Sequence, residues 1–194
     1  LGHSFPTRRS SDLEIYFHVI AHYSKGVEII DNNSMNDKIN LIIENYSFQH
    51  NLRKIEDLEK DRKYCKHDMQ HFLDVARLMY IITLENDFNI SKYIIYTTAL
   101  LHDIGRGEQY ENGIAHNIAS VLIAQKILRQ CEYGDKEIDE ILEAIGNHRN
   151  DTENFESLSD LLYKCDKLSR DCFHCEASVG CNWPQDKRNF KINY

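Results

Sequence analysis

The chain has 194 residues, 42% hydrophobic and 28% charged, an ordinary globular mix long enough for one domain with a real core. A net charge of -8 argues against a nucleic-acid duplex as partner, because neutralising phosphates takes a basic surface, and the lack of any run of about 18 apolar residues leaves nothing to span a membrane as a helix. Only two prolines occur, Pro6 and Pro184, so the many turns of a β-sandwich are a poor fit and helices a good one.

The first residues fit nothing that follows. The string SFPTRRSSDL at 4–13 resembles the in-frame translation of a common sequencing adapter, and the next start-capable residue is Met35. The expectation is that 1–34 is non-native or read-through sequence. The rival is a signal peptide, with Arg8 and Arg9 ahead of LEIYFHVIA; Glu14 and His18 interrupt that stretch, and no small-residue cleavage site follows.

From Asp37 to about Asp61 the pattern is helical, with charged residues interleaved among Ile39, Ile42, Ile43, Ile55 and Leu58. Residues 67–85 form a strongly amphipathic helix. Ser91 is a good N-cap for a helix over 92–103, which Gly105 ends. GRGEQYENG reads as a loop leading to a helix over 114–131. Asp135 caps the next, 136–148, and Ser157 or Ser159 opens a last one over 157–170. The fold class is all-α, a helical bundle over 35–170 with an irregular Cys-rich tail, 171–194, packed on it.

Certain polar residues lie on the apolar stripes of these helices. Positions three or four apart share a helix face. His71 falls with Val75, Leu78 and Ile82, His102 with Ile95, Thr98 and Ala99, and His116 with Ala119, Ser120, Ile123 and Ile127. His148 follows Ile141, Ala144 and Ile145, Asp166 follows Leu162 and Tyr163, and Asp103 sits beside His102 at a helix end. Buried carboxylates without compensation cost several kcal/mol. Four histidines and two aspartates converging from separate helices call for a common counter-charge, and imidazole nitrogen with carboxylate oxygen suits Mn, Fe, Co, Ni or Zn.

HFLDVAR at 71–77, ALLHDIGR at 99–106 and YKCDKLSR at 163–170 together resemble the HD superfamily of metal-dependent phosphohydrolases, over about residues 50–181. The resemblance implies the HD-domain helical bundle, with His71, His102, Asp103 and Asp166 as ligands of a first metal. His116 and His148 fall where members with a second metal carry additional histidines; Asp103 would bridge to it, or these histidines would instead bond the substrate phosphate. A metal pair of that kind activates water for in-line attack at phosphorus. Arg106, one turn past Asp103, would clamp a phosphoryl oxygen, although many relatives have Lys there. His67, one turn before His71, is read as facing the substrate or backing the ligands. Arg62, Arg149 and Arg170 are each either phosphate contacts or solvated surface.

Six cysteines do not read as a disulfide framework. Cys65 and Cys131 are isolated, and Cys165, Cys172, Cys175 and Cys181 crowd the C-terminus, which suggests thiol or metal chemistry in a reducing, cytoplasmic setting. CFHCEASVGC carries a C-x2-C-x5-C array, with Cys165 upstream and His174 inside it. Zinc, an iron–sulfur cluster, a redox thiol pair and simple buried thiols all remain open for it.

The leading function is hydrolysis of a nucleotide or related phosphate ester, with a small phosphorylated substrate as partner; phosphomonoester, cyclic diester and nucleoside polyphosphate are not distinguished, nor is oligomeric state. A di-iron oxygenase on the same fold and a non-catalytic nucleotide- or metal-binding module are the alternatives.

Overall fold

A computed structural model describes residues 32–149 and 157–192, and the foreign-segment expectation falls, for 1–31, outside the described residues. Among the described residues the regular structure is α-helix with short 3-10 turns and no strand.

The expected long first helix is two, α1 (Asn32–Glu44) and α2 (Tyr46–Leu58). Asn45 divides them. Its backbone is extended, and its Oδ1 accepts from the N–H groups of Ser47 at 2.9 Å and Phe48 at 3.3 Å, satisfying donors that a helix start leaves open. Helix α3 (Met69–Glu85) opens on the Asp68 cap, so His67 lies in the loop ahead of it and not on a shared helical face with His71. Helix α4 (Lys92–Leu101) runs into a turn that carries His102 and Asp103.

The stretch read as a loop is instead a helix, α5 (Arg106–Asn112). Lys54 of α2 holds Glu108 at 2.7 Å and Glu111 at 2.6 Å on one face of it, and Gly113 ends it in the left-handed region with φ 71°. Three further helices follow, α6 (His116–Gln130), α7 (Asp135–Asn147) and α8 (Leu158–Leu168). The N-cap of α7 is Gly134, not Asp135; its N–H donates to the Glu137 carboxylate at 2.7 Å. Ser157 caps α8 as expected, accepting from the Asp160 N–H at 3.2 Å.

Helix α3 packs on α4 and α8, and α7 packs on α4, α6 and α8. Phe48, Ile55, Phe72, Met79, Ile95, Leu100, Leu101, Ile127 and Ile141 fill the space between them. Each such side chain contributes on the order of 1.5–3 kcal/mol by leaving water. Met35–Tyr194 form one compact unit, and the tail is tied into it by polar contacts. The Asn189 amide donates to the Lys167 and Arg170 carbonyls at 2.6 and 2.9 Å, and the Tyr64 hydroxyl donates to the Gly180 carbonyl at 2.7 Å.

Gly105 brings the α4–α5 turn directly onto α6. A Cβ there would stand 2.3 Å from the Ser120 nitrogen and 2.7 Å from the Ala119 carbonyl carbon. The Gly105 N–H donates to Ser120 Oγ at 2.9 Å. This contact sets Asp103 beside the start of α6, where His116 stands.

Candidate metal centre

The six converging residues arrive from five places in the bundle. His71 sits in the first turn of α3, His102 and Asp103 in the turn after α4, His116 at the first position of α6, His148 just past α7 and Asp166 on α8. All six are buried, with His102 and Asp103 fully so. They form two groups whose ligand atoms lie within 4.8 Å of one another: His71, His102, Asp103 and Asp166, and Asp103, His116 and His148. Asp103 belongs to both.

The histidines are held in one tautomer. Nδ1 of His102 donates to the Ala99 carbonyl and Nδ1 of His148 to the Ile145 carbonyl, each at 2.6 Å. Nδ1 of His116 donates to Gln109 Oε1 at 2.8 Å, and that of His71 faces Ser169 Oγ at 3.3 Å. With the proton on Nδ1, the Nε2 lone pairs point at the carboxylates. His102 Nε2 is 3.4 Å from Asp103 Oδ2, His116 and His148 Nε2 are 3.4 and 3.7 Å from Oδ1, and His71 Nε2 is 3.3 Å from Asp166 Oδ1. Donors that share an ion at about 2.1 Å stand about 3–3.5 Å apart, so these separations suit ligands better than hydrogen bonds. His102 Nε2 and Asp103 Oδ1 are buried without a hydrogen-bonding partner among the described residues, a costly state that an ion would relieve. The donor set therefore fits a divalent metal.

Electrostatics keep the ligands in their binding forms. Burial pushes the Asp103 carboxyl up, but Arg106 and His102 outweigh it and hold it well below the usual carboxylate range. Asp166 is held low in the same way, burial being overcome by His71, Lys167 and Arg170. Burial draws His71 down to about 4 and His116 to about 3, and lowers His148, so these imidazoles are neutral at pH 7.

Arg106 lies against Asp103, its Nε 3.1 Å from Oδ1 and its NH2 donating to Oδ2 at 3.2 Å. It also lines a cleft of about 480 Å³ that opens over His116, His148 and Asp166. Arg149, Lys167 and Lys187 add positive charge to that cleft, and Tyr163 and Trp183 add aromatic faces. Lys167 pairs with Asp166 and stands 5.2 Å from the Tyr163 ring centroid and 5.8 Å from that of Trp183.

His67 is buried, with Nε2 3.6 Å from Asp103 Oδ2. Behind it stands Glu59, which the sequence reading missed: its Oε1 accepts from His67 Nδ1 at 2.6 Å, its Oε2 from the His67 backbone N–H at 2.6 Å, and the Tyr110 hydroxyl donates to it as well. Only an isolated acid in a charge-rich helix marked Glu59 in the sequence. Arg170, read as either a phosphate contact or surface, is buried; its NH2 donates to His71 Nε2 at 2.9 Å and to Asp166 Oδ1 at 3.3 Å, a contact that an ion held by these two atoms would replace, and its NH1 to the Lys66 carbonyl at 2.9 Å.

Cys165 does not join the tail thiols. It precedes Asp166 on α8 and turns into the apolar core, where burial pushes its thiol well above the usual range. Cys172, Cys175 and Cys181 instead line one small cavity with Cys65, and His174 is exposed. All six cysteines are free.

A sequence model of the HD domain matches residues 68–171. An uncharacterized protein of Clostridium beijerinckii is 45% identical over 158 residues, covering 81% of this chain and 99% of that protein. A crystal structure of a predicted HD superfamily hydrolase from an uncultured Thermotogales bacterium has a similar fold, with a TM-score of 0.54 and 18% identity over 79% of this chain and 80% of that one.

Proposed function

The chain belongs to the HD-domain family, and from that premise we propose that it is a metal-dependent phosphohydrolase acting on a nucleotide or related small phosphate ester. One observation carries the reading: Asp103 is shared by two buried groups of candidate ligands, three of which, Asp166, His116 and His148, reach a cleft walled by Arg106, Arg149, Lys167 and Lys187. His71, His102, Asp103 and Asp166 would hold one ion, and Asp103, His116 and His148 a second. The nitrogen and oxygen donors suit Mn, Fe, Co, Ni or Zn. A bound divalent ion supplies Lewis acidity toward a phosphoryl oxygen and lowers the pKa of water to near neutrality.

The chain's own residues do the rest. Arg149, Lys167 and Lys187 offset the charge of the entering phosphate, and Arg106 divides its guanidinium between Asp103 and the cleft. Tyr163 and Trp183 offer faces on which a base can stack. Glu59 keeps the His67 proton on Nδ1, which leaves Nε2 as a proton acceptor beside Asp103. The free thiols favour a reducing, cytoplasmic setting.

Release of phosphate or nucleoside from a panel of nucleotides and simple phosphoesters, with Mn²⁺ added, tests the reading. Turnover by the wild type and none by Asp103→Ala is the expected result. Metal and nucleotide binding without turnover across the panel would replace it with a binding module.

A further inference from the structure

We propose that Cys65, Cys172, Cys175 and Cys181 are the four ligands of an iron–sulfur cluster of the [4Fe–4S] type. The fold brings Cys65, in the loop ahead of α3, to the C-x2-C-x5-C array of the tail, and the four thiols line one small cavity together with Tyr64 and Arg188. Each thiol is free and half-buried. Burial pushes the Cys65 thiol up, Arg170 opposes that, and Cys172 and Cys175 stand close enough to add to the rise.

The loop and the tail are pinned on both sides of the cavity. Tyr64 donates to the Gly180 carbonyl at 2.7 Å, and Arg170 donates to the Lys66 carbonyl at 2.9 Å, so the residues flanking Cys65 are both fixed. Arg188 donates to the Ser178 carbonyl at 3.0 Å and also to those of Cys181 and Trp183, which shapes the strand of tail that carries the last thiol. Cys172 and Cys175 are set by a 3-10 turn closed by the Cys175 N–H on the Cys172 carbonyl at 3.4 Å. The tail has little apolar anchorage of its own, because Phe173, Val179, Phe190 and Ile192 are exposed. Covalent ligation to a cluster gives such a segment the ordering energy that burial does not.

The spacing fits a cluster better than a single ion. Four sulfurs about 2.3 Å from one zinc stand about 3.8 Å apart. Among the described residues no three of these sulfurs lie within 4.8 Å of one another; the groups that do are those of the histidine and aspartate centre. A cubane takes one cysteine on each of four irons and so holds its ligands farther apart, and the guanidinium of Arg188 at the cavity wall balances its negative charge.

The full chain, reconstituted anaerobically with equal amounts of ferrous and ferric iron and with sulfide, tests this through acid-labile sulfide, which iron at the histidine and aspartate centre does not carry, and through the broad visible sulfur-to-iron charge-transfer absorption that accompanies it. About four sulfides per chain are expected. Cys65→Ser and the Cys172→Ser, Cys175→Ser double variant should lose the absorption, whereas Cys165→Ser and Asp103→Ala should keep it. Absence of labile sulfide from the reconstituted wild type overturns the proposal however the variants fold. So does one zinc held by the same thiols, or full sulfide retention in Cys65→Ser.

Discussion

Glu59 Oε1 and His67 Nδ1 meet at 2.6 Å inside the bundle, and this pair turns the opposite nitrogen of the ring toward Asp103. Burial raises the Glu59 carboxyl, but the bond from His67 prevails and holds it at about 2. A carboxyl depressed on folding adds stability that is complete above its unfolded value of about 4.5 and is lost as pH falls toward about 2, here about 3 kcal/mol in all. Denaturant titrations of the metal-free protein should therefore show Glu59→Gln losing stability at pH 7 and falling less steeply below pH 4.5 than the wild type. Parallel slopes would show that the pair has no such role.

Asp103→Ala removes the one ligand common to both groups. Metal analysis of the purified variant should show both ions gone, and activity lost by at least about 10³-fold. Normal metal content would move the centre elsewhere.

Arg106→Ala withdraws the support of Asp103 without removing a ligand. Metal affinity should fall about tenfold or more, with full occupancy recovered at high metal. The fall in kcat/KM should persist at saturating metal, because the guanidinium also faces the cleft. Lysine should rescue only in part, lacking the planar fork.

Gly105→Ala would place a methyl 2.3 Å from the backbone nitrogen of Ser120, which cannot swing aside as a side chain can. Thermal unfolding should show a loss of about 3 kcal/mol or more. Activity should fall with it, since α6 and the Asp103 turn must part.

Trp183→Ala tests the aromatic face of the cleft. KM for nucleotides should rise about tenfold, by the usual worth of a base stacked on a ring. KM for a simple phosphoester without a base should change little.

The bundle and the convergence of its buried histidines and aspartates are readable from the sequence because both depend on helical periodicity. His71, His102, His116, His148 and Asp166 each interrupt an apolar stripe, and Asp103 adjoins one of them. What escaped depends on contacts between elements distant in sequence. Asn45 looked like one polar residue among many until its side chain took the first N–H groups of α2. Residues 106–112 looked like a loop because the lysine that steadies this helix, Lys54, lies on α2. The same holds for Glu59 behind His67 and for Cys65 among the tail thiols, where Cys165 had been the nearer choice in sequence.

A carboxylate held in common by two ligand groups also couples them. Whichever ion bound first would hold Asp103 and compete with Arg106 for its charge, so the second would meet a site already altered. If both groups load, metal binding would be one linked equilibrium: each ion would change the affinity for the other by the same factor whatever the order of addition, and a mixed-metal centre, one kind of ion in the four-ligand group and another in the three-ligand group, would be a state the chain can select.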